Sequence, residues 1–406
     1  MNMKYILLIS LILSVVSAKK WAVLVAGSEG IENYRHQADN AHAYHMLINH
    51  GYDPEHIIVF SKNDVPNDKE NPIPNTLYNR PGNDSINYYE NYVIDYEGAD
   101  NTPDNYVKVL LGDKSTGKKV LETTEDDIIF LAFYDHGQFG RISFPNDDLT
   151  ADVLQSTFKQ MKEKKMFKRI VYYMEACFSG SMFYLHDTID GIYALTAAYA
   201  GESSWSYYCG DEAVVNGVKF DTCLGDEFAI RWMENVDEGN LAQTFREHAE
   251  NITEQVKMSH VTRYFDFSFE NDTIAEVFQG DLVYVKMNRN QKFIEGTRDD
   301  IYLNKLHYLS RKLLSFPESE YYKSEYENEK KKIELIDTYF SDLYNRLISN
   351  KIIDMNSLDK RIDDWKCYNS VVNKVRERFG RNDYLNKYVS SLGFICNQIK
   401  DLDQYL

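Results

Sequence analysis

Between residues 20 and 280 the chain alternates short, wholly apolar runs with stretches that have the periodicity of helices. The runs at 21–25, 128–134 and 170–174 contain no charged residue and are rich in β-branched and aromatic side chains, which is typical of strands buried on both faces. Such strands alternate with helices in sheets that are mostly parallel. The sequence therefore predicts an α/β fold in which helices flank a mostly parallel sheet.

From residue 281 onward the pattern is wholly helical. Apolar residues recur at spacings of three and four in 306–313 and 333–347, and two further stripes flank Gly380. The change of pattern predicts an α/β domain over 19–280 followed by a helical part over 281–406.

Residues 65–105 show neither the apolar runs of buried strands nor the three-and-four spacing of helices, and they are rich in Pro, Asn, Asp and Tyr. Turn-forming residues at this density favour irregular structure, and irregular segments usually run over the surface. We therefore predict a long surface loop, to which composition alone assigns no function.

The first eighteen residues have the layout of a signal peptide. Lys4 precedes an apolar core over 5–16, and residues 16–18 supply the small side chains that a signal peptidase recognises. The alternative, a membrane anchor, is disfavoured because the run is too short to span a bilayer. Entry into the secretory pathway is therefore predicted, and no later segment predicts a membrane span. Secretion makes the three N-glycosylation sequons candidate sites, namely Asn83, Asn251 and Asn271.

The charge is divided unevenly along the chain. Residues 281–406 carry 22 Lys and Arg against 20 Asp and Glu, a net charge of +2, whereas residues 1–280 carry 23 against 43, a net charge of −20. A field of this sign argues against nucleic-acid partners. It is explained either by solubility or by an acidic body that a nearly neutral C-terminal part covers.

The chain has five cysteines, an odd number for a protein predicted to be secreted. Cys209 and Cys223 lie fourteen positions apart, and Cys367 and Cys396 lie where an antiparallel helical pair places its two ends together. We predict these two disulfides, with free thiols as the alternative. Cys177 is left over, as either a loose thiol or a reactive one.

His136 and Cys177 both follow apolar runs predicted to be strands. Sites in parallel sheets form at the carboxyl ends of strands, so the two side chains are expected to converge as a thiol nucleophile and its base. Alone, each has a plainer interpretation: a buried thiol and a structural histidine. A metal site is not predicted, since the histidines and cysteines show no ligand spacing, and no cofactor is implied.

The motifs around these residues resemble those of the legumain (asparaginyl endopeptidase) family. YDHG at 134–137, EACFSGSM at 175–182 and NYRHQAD at 33–39 are similar to its catalytic and N-terminal blocks. Further similar segments follow in order, ESSW at 202–205, CLGD at 223–226, SHV at 259–261, FQG at 278–280 and DDWKC at 363–367. The resemblance covers essentially the whole chain.

The resemblance implies a caspase-like α/β fold that cleaves peptide bonds after asparagine, and more slowly after aspartate, in acid. Matched by motif, Cys177 is the nucleophile, His136 the general base and acid, and Asn33 the group that orients the imidazole, while the N–H groups of Gly137 and Cys177 stabilise the oxyanion. The pocket for the substrate asparagine is then formed by five residues, namely Arg35, His36, Glu175, Ser204 and Asp226.

The resemblance also implies that the helical part divides into a linker (activation peptide) over 281–322 and an all-α, death-domain-like prodomain over 323–406 that inhibits the enzyme. Tail cations paired with catalytic-face carboxylates would release it in acid. Self-cleavage is expected after an asparagine of the connector, with Asn288, Asn290 and Asn304 as candidates. Cystatin-like inhibitors and a lysosome-like or vacuole-like compartment, or secretion, are also expected.

Two residues of the motifs carry further expectations. Asp135 matches a position that can form a succinimide in relatives, which implies a peptide ligase activity. Phe178 stands where many relatives carry glutamate, a change that affects binding beyond the scissile bond or contacts with the tail.

Two other functions are compatible with the same motifs. A glycosylphosphatidylinositol transamidase-like thiol transferase shares the Cys–His pair, but usually has a membrane segment near its C-terminus. A secreted binding protein on an inactive protease fold is disfavoured by retention of Cys177, His136 and Asn33.

Overall fold

The computed structural model describes residues 18–184, 186–280, 282, 295–350, 352–353, 362–399 and 402–406. Residues 1–17 of the predicted signal peptide and the processing candidates Asn288 and Asn290 lie outside these ranges. Within them, no helix is both long enough and apolar enough to cross a membrane.

The strands are short and, in the central sheet, almost entirely buried. In chain order they are β1 (Lys20–Ala26), β2 (Ile57–Ser61), β3 (Tyr96–Glu97), β4 (Ile128–Tyr134), β5 (Gly137–Gln138), β6 (Arg141–Ser143), β7 (Asp148–Thr150), β8 (Arg169–Glu175), β9 (Ile192–Thr196), β10 (Trp205–Tyr207), β11 (Val214–Val215), β12 (Val218–Lys219), β13 (Gly225–Asp226), β14 (Thr262–Phe265) and β15 (Arg298–Asp300).

Helices separate the strands and then take over the chain. They are α1 (Tyr34–Asn49), α2 (Pro103–Leu110), α3 (Ala151–Glu163), α4 (Glu227–Asp237), α5 (Phe245–Gln255), α6 (Ala275–Phe278), α7 (Asn304–Ser315), α8 (Glu320–Ser349), α9 (Trp365–Phe379) and α10 (Asn386–Cys396). The domain boundary predicted at residue 323 falls inside α8.

The central sheet has the strand order β14-β9-β8-β4-β1-β2-β3. Every pair is parallel except β14 with β9. The chain moves from β1 to one side through β2 and then returns to the other side at β4. In sheets of this kind, ligands bind outside the carboxyl ends of the strands at the point where the order reverses.

Alternate side chains of the strands enter two separate cores. In β1, Val23 and Val25 pack with residues of α2 and α3, whereas Ala22 and Leu24 pack with residues of α1, α4 and α5. A sheet covered on both faces explains why its strands are continuous apolar runs. The predicted α/β class is confirmed.

The C-terminal helices α8, α9 and α10 have a core of their own, onto which Phe139 and Ala200 of the α/β part also pack. Disulfide bonds join Cys367 to Cys396 within these helices and Cys209 to Cys223 beside β10. Both predicted pairings are therefore present, and Cys177 is a free, buried thiol.

The prediction that residues 65–105 form a surface loop is wrong for the middle of the segment. Leu77, Tyr78 and Tyr88 are buried in a core that they share with Tyr34 and Phe220. An irregular segment can bury side chains without any regular spacing, so periodicity could not reveal this core.

Candidate active site

The residues predicted to act together lie at the aligned carboxyl ends of β4 and β8. Tyr134 pairs with Glu175 in the register of these strands, and the backbone N–H of Asp135 donates to the carbonyl oxygen of Glu175 at 3.2 Å. His136 and Cys177 each follow a paired residue by two positions. They therefore lie next to each other just beyond the sheet, beside the reversal of strand order.

A glycine after His136 permits this close approach. A Cβ atom on Gly137 would collide with the carbonyl oxygen of Cys177 and would lie 3.0 Å from the Cβ atom of Ala176. Any larger residue would push the segment after β4 away from Cys177, so the motif requires glycine here for packing as well as for access to its N–H group.

The buried imidazole of His136 is held through one of its nitrogens. Nε2 lies 2.9 Å from Asn33 Oδ1 and 3.2 Å from Asp383 Oδ2, whereas Nδ1 has no hydrogen-bond partner among the described residues. Burial by itself lowers the pKa of His136, but the carboxylates of Asp383 and Asp135 outweigh it and raise the pKa. Asn33 thus orients the ring, and Asp383, which lies between α9 and α10, favours its protonated form.

The thiol of Cys177 is buried beneath the segment that follows β15. Its Sγ atom lies 3.9 Å from the carbonyl oxygen of Ser204, and the side chain of Tyr302 is close enough to interact with it. Burial raises the pKa of Cys177 to about 12, because no solvent is present to stabilise a thiolate. In this arrangement the sulfur is a protonated thiol.

The five residues predicted to form the substrate pocket are all buried and lie together. Arg35 Nε donates to Asp226 Oδ1 at 2.8 Å, and His36 Nε2 lies 3.4 Å from Asp226 Oδ2. Glu175 Oε2 accepts from the backbone N–H of Ala229 at 3.3 Å, and the pKa of Glu175 is raised by burial and by the charge of Asp226. The pocket therefore presents guanidinium donors on one side and carboxylate acceptors on the other.

The side chain of Asn304 occupies this pocket. Oriented by its hydrogen-bond partners, the amide oxygen accepts from both terminal nitrogens of Arg35, with Nη2 at 2.8 Å, and the amide nitrogen donates to Ser206 Oγ at 3.3 Å. Asn304 is buried and begins α7 with helical backbone angles, φ −49° and ψ −50°. The pocket thus holds the primary amide of a residue whose backbone is helical rather than extended.

The segment before Asn304 is bound as a strand. Arg298–Asp300 pairs antiparallel with Trp205–Tyr207, and Asp299 lies opposite Ser206. The edge of β10 can therefore receive an extended peptide through backbone hydrogen bonds.

The C-terminal helices contact the α/β part through a buried charge cluster. Asp148 of β7 accepts from Arg141 at 3.2 Å, from Arg376 at 2.5 Å and from Arg381 at 2.8 Å. Burial alone would raise the pKa of Asp148, but the three arginines lower it to about 2. Two of the three cations, Arg376 of α9 and Arg381 between α9 and α10, come from the C-terminal half, so this carboxylate fixes that half to β7.

Apolar and neutral contacts extend the same interface. The backbone N–H of Phe139 donates to Ser390 Oγ at 3.0 Å, and its carbonyl oxygen accepts from the Tyr368 hydroxyl at 3.1 Å. Phe178, directly after Cys177, packs against the core of the C-terminal helices. The expectation that Phe178 affects contacts with the tail agrees with this packing.

Asp135, the residue with the predicted succinimide, is buried at the back of the site. Its Oδ1 lies 3.5 Å from His36 Nδ1, which in turn lies 2.7 Å from Ser28 Oγ. Burial raises the pKa of Asp135 to about 7. Burial, followed by the charge of Arg35, lowers the pKa of His36, which therefore lies in the pocket as a neutral ring.

The candidate glycosylation sites lie away from this centre. Asn83 and Asn271 are exposed, and Asn251 is half-buried on α5, where its Oδ1 accepts from Gln255 Nε2 at 2.5 Å.

Three residues of the site were not anticipated from the sequence. Asp383, Tyr302 and Ser206 contact His136, Cys177 and Asn304 respectively. Asp383 and Tyr302 reach the site through long-range packing of the C-terminal half, which leaves no local pattern. Ser206 had a usable signal, since it lies two positions after Ser204 in the same motif region.

Residues 20–281 match the model of the Peptidase C13 family. Hemoglobinase of Schistosoma japonicum is 41% identical over 263 residues, which cover 64% of this chain and 60% of that protein. Legumain of Rattus norvegicus is 40% identical over 269 residues, covering 64% of this chain and 59% of that protein. The chain therefore spans less than two thirds of the length of these relatives.

The similarity to a plant relative extends over both halves. The delta-isozyme of vacuolar-processing enzyme from Arabidopsis thaliana is 32% identical over 414 residues, covering 95% of this chain and 88% of that protein. Among solved structures, caspase-1 from Spodoptera frugiperda aligns with 61% of this chain and 89% of its own at 10% identity and a TM-score of 0.39. A similarity that low adds nothing to the fold, whose class rests on the sheet itself.

Proposed function

Because the chain belongs to the peptidase C13 family, the family of the legumains, we propose that it is a cysteine endopeptidase in which Cys177 attacks the scissile carbonyl. His136, whose Nδ1 is left free while Asn33 holds Nε2, takes the thiol proton and returns it to the leaving amine. The N–H groups of Gly137 and Cys177 stabilise the oxyanion.

Cleavage after asparagine is supported by the placement of Asn304. Its amide oxygen faces the Arg35 guanidinium, and its amide nitrogen faces Ser206. An amide supplies one acceptor and two donors, so it satisfies both sides of the pocket without adding charge. An ionised aspartate would place a second carboxylate near Asp226, which explains why aspartate would require protonation in acid.

The closed arrangement is proposed to be a zymogen in which the chain blocks its own site. Tyr302 covers Cys177, Asp383 binds His136, and Asn304 fills the pocket. Of the three processing candidates, Asn304 is the one within the described residues. The bond after it lies in the first turn of α7, so cleavage there requires this turn to unwind into an extended strand.

The chain from β15 through the C-terminal helices, which closes the site, is called the cover. Acid is proposed to loosen the cover at its α7 end first. Burial raises the pKa of Glu70, but Tyr322 and Lys312 outweigh it and lower the pKa below the ordinary 4.5. A lowered carboxylate pKa stabilises the closed form above 4.5, and this contribution is lost as the pH falls through the lowered value. The Asp148 cluster persists until the pH approaches 2.

Proteins and peptides that expose asparagine are the proposed substrates, and the C-terminal helices are the proposed intramolecular inhibitor. The secretory pathway, with an acidic lysosome-like or vacuole-like compartment or the outside as destination, is the proposed location, in line with the vacuolar-processing enzyme among the relatives. Inhibition by cystatin-like proteins and ligation through Asp135 stay predictions.

The proposal is tested by covalent labelling of the acid-treated full chain with two peptidyl acyloxymethyl ketones that differ only in carrying Asn or Gln at the reactive end. We expect the Asn probe to add its mass to the peptide that contains Cys177, the Gln probe to react far more slowly, and Cys177→Ser to stay unlabelled. Equal labelling by both probes, or labelling that survives Cys177→Ser, would contradict the proposal.

A further inference from the structure

Behind the substrate pocket, helix α1 presents a buried polar face. Arg35, Asp39 and His42 are spaced by four and three positions, which places them on one side of a helix. All three are at most 4% exposed. Arg35 reaches the pocket itself, so the other two lie progressively deeper behind it.

Asp39 is bound directly to the residue that pairs with Arg35. Its Oδ2 atom accepts from the backbone N–H of Asp226 at 3.1 Å, while Asp226 Oδ1 accepts from Arg35 Nε at 2.8 Å. Asp39 thereby fixes the main chain at the position from which the Asp226 carboxylate projects. Burial and the charge of Asp226 raise the pKa of Asp39.

Asn79, from the irregular segment between β2 and β3, holds Asp39 from the other side. Its Nδ2 donates to Asp39 Oδ1 at 2.7 Å and to the carbonyl oxygen of Leu224 at 2.9 Å. A Cβ atom on Gly225 would lie only 2.9 Å from this nitrogen. The glycine before Asp226 therefore makes room for Asn79 to reach Asp39.

The network continues to His42 and Asp237. Because both acceptors of Asn79 Nδ2 fix the amide orientation, Asn79 Oδ1 faces His42, and His42 Nδ1 donates to it at 2.7 Å. His42 Nε2 lies 2.9 Å from Asp237 Oδ2, and the ring stacks on Tyr88 with centroids 4.4 Å apart. Every polar group along this line is matched to a partner.

We infer that Asp39, Asn79 and His42 are positioning residues that fix the Asp226–Arg35 pair and so determine discrimination between asparagine and aspartate. The inference rests on the proposed function. A buried network in which each member is satisfied holds its terminal group in one place, and selectivity for an amide requires a fixed acceptor opposite a fixed donor. When Asp226 is free to move, Arg35 loses the partner that holds its guanidinium, and the carboxylate that would repel an ionised aspartate loses its fixed position.

The test compares two isosteric substitutions on the full chain after acid treatment. Asn79→Asp replaces the donor to Asp39 with a carboxylate, whereas Asn40→Asp makes the same change one residue from Asp39, where Asn40 Nδ2 donates to Phe60 and Tyr92 instead. The kinetic constants kcat and KM are measured for two peptides that differ only in Asn or Asp at the cleaved position.

For Asn79→Asp we expect kcat/KM on the Asn peptide to fall about tenfold through a higher KM, with a smaller loss on the Asp peptide. The Asn-to-Asp ratio therefore falls in Asn79→Asp and stays at the wild-type value in Asn40→Asp. His42→Gln, which leaves the pocket side of the network intact, should lower the ratio in the same direction by less.

Two results would overturn the inference: an unchanged ratio in folded Asn79→Asp, or an equal fall in Asn40→Asp. Thermal unfolding reports whether each variant is folded. If Asn79→Asp is not folded, an unchanged Asn-to-Asp ratio in His42→Gln would overturn the inference instead. A wild-type chain that does not cleave the Asn peptide would refute the proposed function, and the inference with it. If the wild-type chain cleaves the Asn peptide and the Asn-to-Asp ratio is the same in wild type and in Asn79→Asp, the inference is refuted and the proposed function is not.

Discussion

At the scale of single residues, the closed chain raises the pKa values of both groups proposed to act on the substrate. Burial raises the pKa of Cys177 to about 12, and Asp383 raises that of His136 against the effect of burial. Nucleophilic attack needs a thiolate and a base able to accept its proton. In the proposed zymogen, the C-terminal half therefore opposes formation of the thiolate as well as occupying the space in front of the pair.

The Asp383–His136 pair should hold the cover within a defined pH window. The raised pKa of His136 gives a stabilisation that is complete below the ordinary 6.5 and is lost as the pH rises through the raised value. Burial by itself raises the pKa of Asp383, but the charge of His136 outweighs burial and lowers that pKa. The stabilisation that Asp383 contributes is therefore lost as the pH falls through the lowered value. Between the two limits the pair is intact.

Removing the carboxylate should lower the pKa of His136. We expect Asp383→Asn to move the titration of the His136 ring to lower pH, measured by NMR of the histidine-labelled Cys177→Ala chain with His136→Gln to assign the signal. Asp337→Asn is the matched control, since Asp337 binds the hydroxyls of Tyr384 and Tyr388 on the same helices. An unchanged titration in Asp383→Asn would show that the pair does not control the ring.

At the scale of secondary-structure elements, α9 and the turn before α10 fix the cover through Asp148. The carboxylate is fully buried, with Arg376 and Arg381 as its partners from the C-terminal helices. Removing a hydrogen-bonding partner from a buried group costs about 1–3 kcal/mol, and more when the group is charged. This contact should therefore dominate the docking of α9 and α10.

The double variant Arg376→Gln, Arg381→Gln should release the C-terminal helices more easily. We expect earlier unfolding in a thermal scan and faster proteolysis between residues 281 and 297 than in wild type. Because the pKa of Asp148 is about 2, the difference should be as large at pH 5 as at pH 7. Arg378→Gln, whose side chain stacks on Tyr339 within the same helices, should behave as wild type; an equal effect there would mean general destabilisation.

At the scale of the whole molecule, the uneven charge along the sequence corresponds to contacts between its two halves. The acidic α/β part supplies Asp148 and Glu70, and the C-terminal half supplies Arg376, Arg381 and Lys312. This favours the second explanation of the charge pattern, a cover held in part by ion pairs. The Glu70 contact weakens as the pH falls through a pKa lowered from 4.5, whereas the Asp148 cluster persists until the pH approaches 2.

The sequence predicted the sheet, because strands buried on both faces are apolar throughout and leave a plain signal. It also predicted that His136 and Cys177 converge, since parallel strands in register bring successive strand ends to one edge. The sequence indicated only weakly that Asp39 belongs to the site, because it lies one helical turn after Arg35. The contacts of Asp383, Tyr302 and Asn79 could not be predicted, because they depend on where distant and irregular segments fold back.

The most direct test of the central claim, that Cys177 cleaves after an amide held by Arg35 and Ser206, is a map of cleavage sites. The acid-treated full chain digests a denatured protein of mixed sequence, and mass spectrometry identifies every new C-terminus, with Cys177→Ala as control. The account predicts that the new termini are predominantly asparagine and are absent with Cys177→Ala. Cleavage without a preference for asparagine, or cleavage that persists in Cys177→Ala, would contradict it.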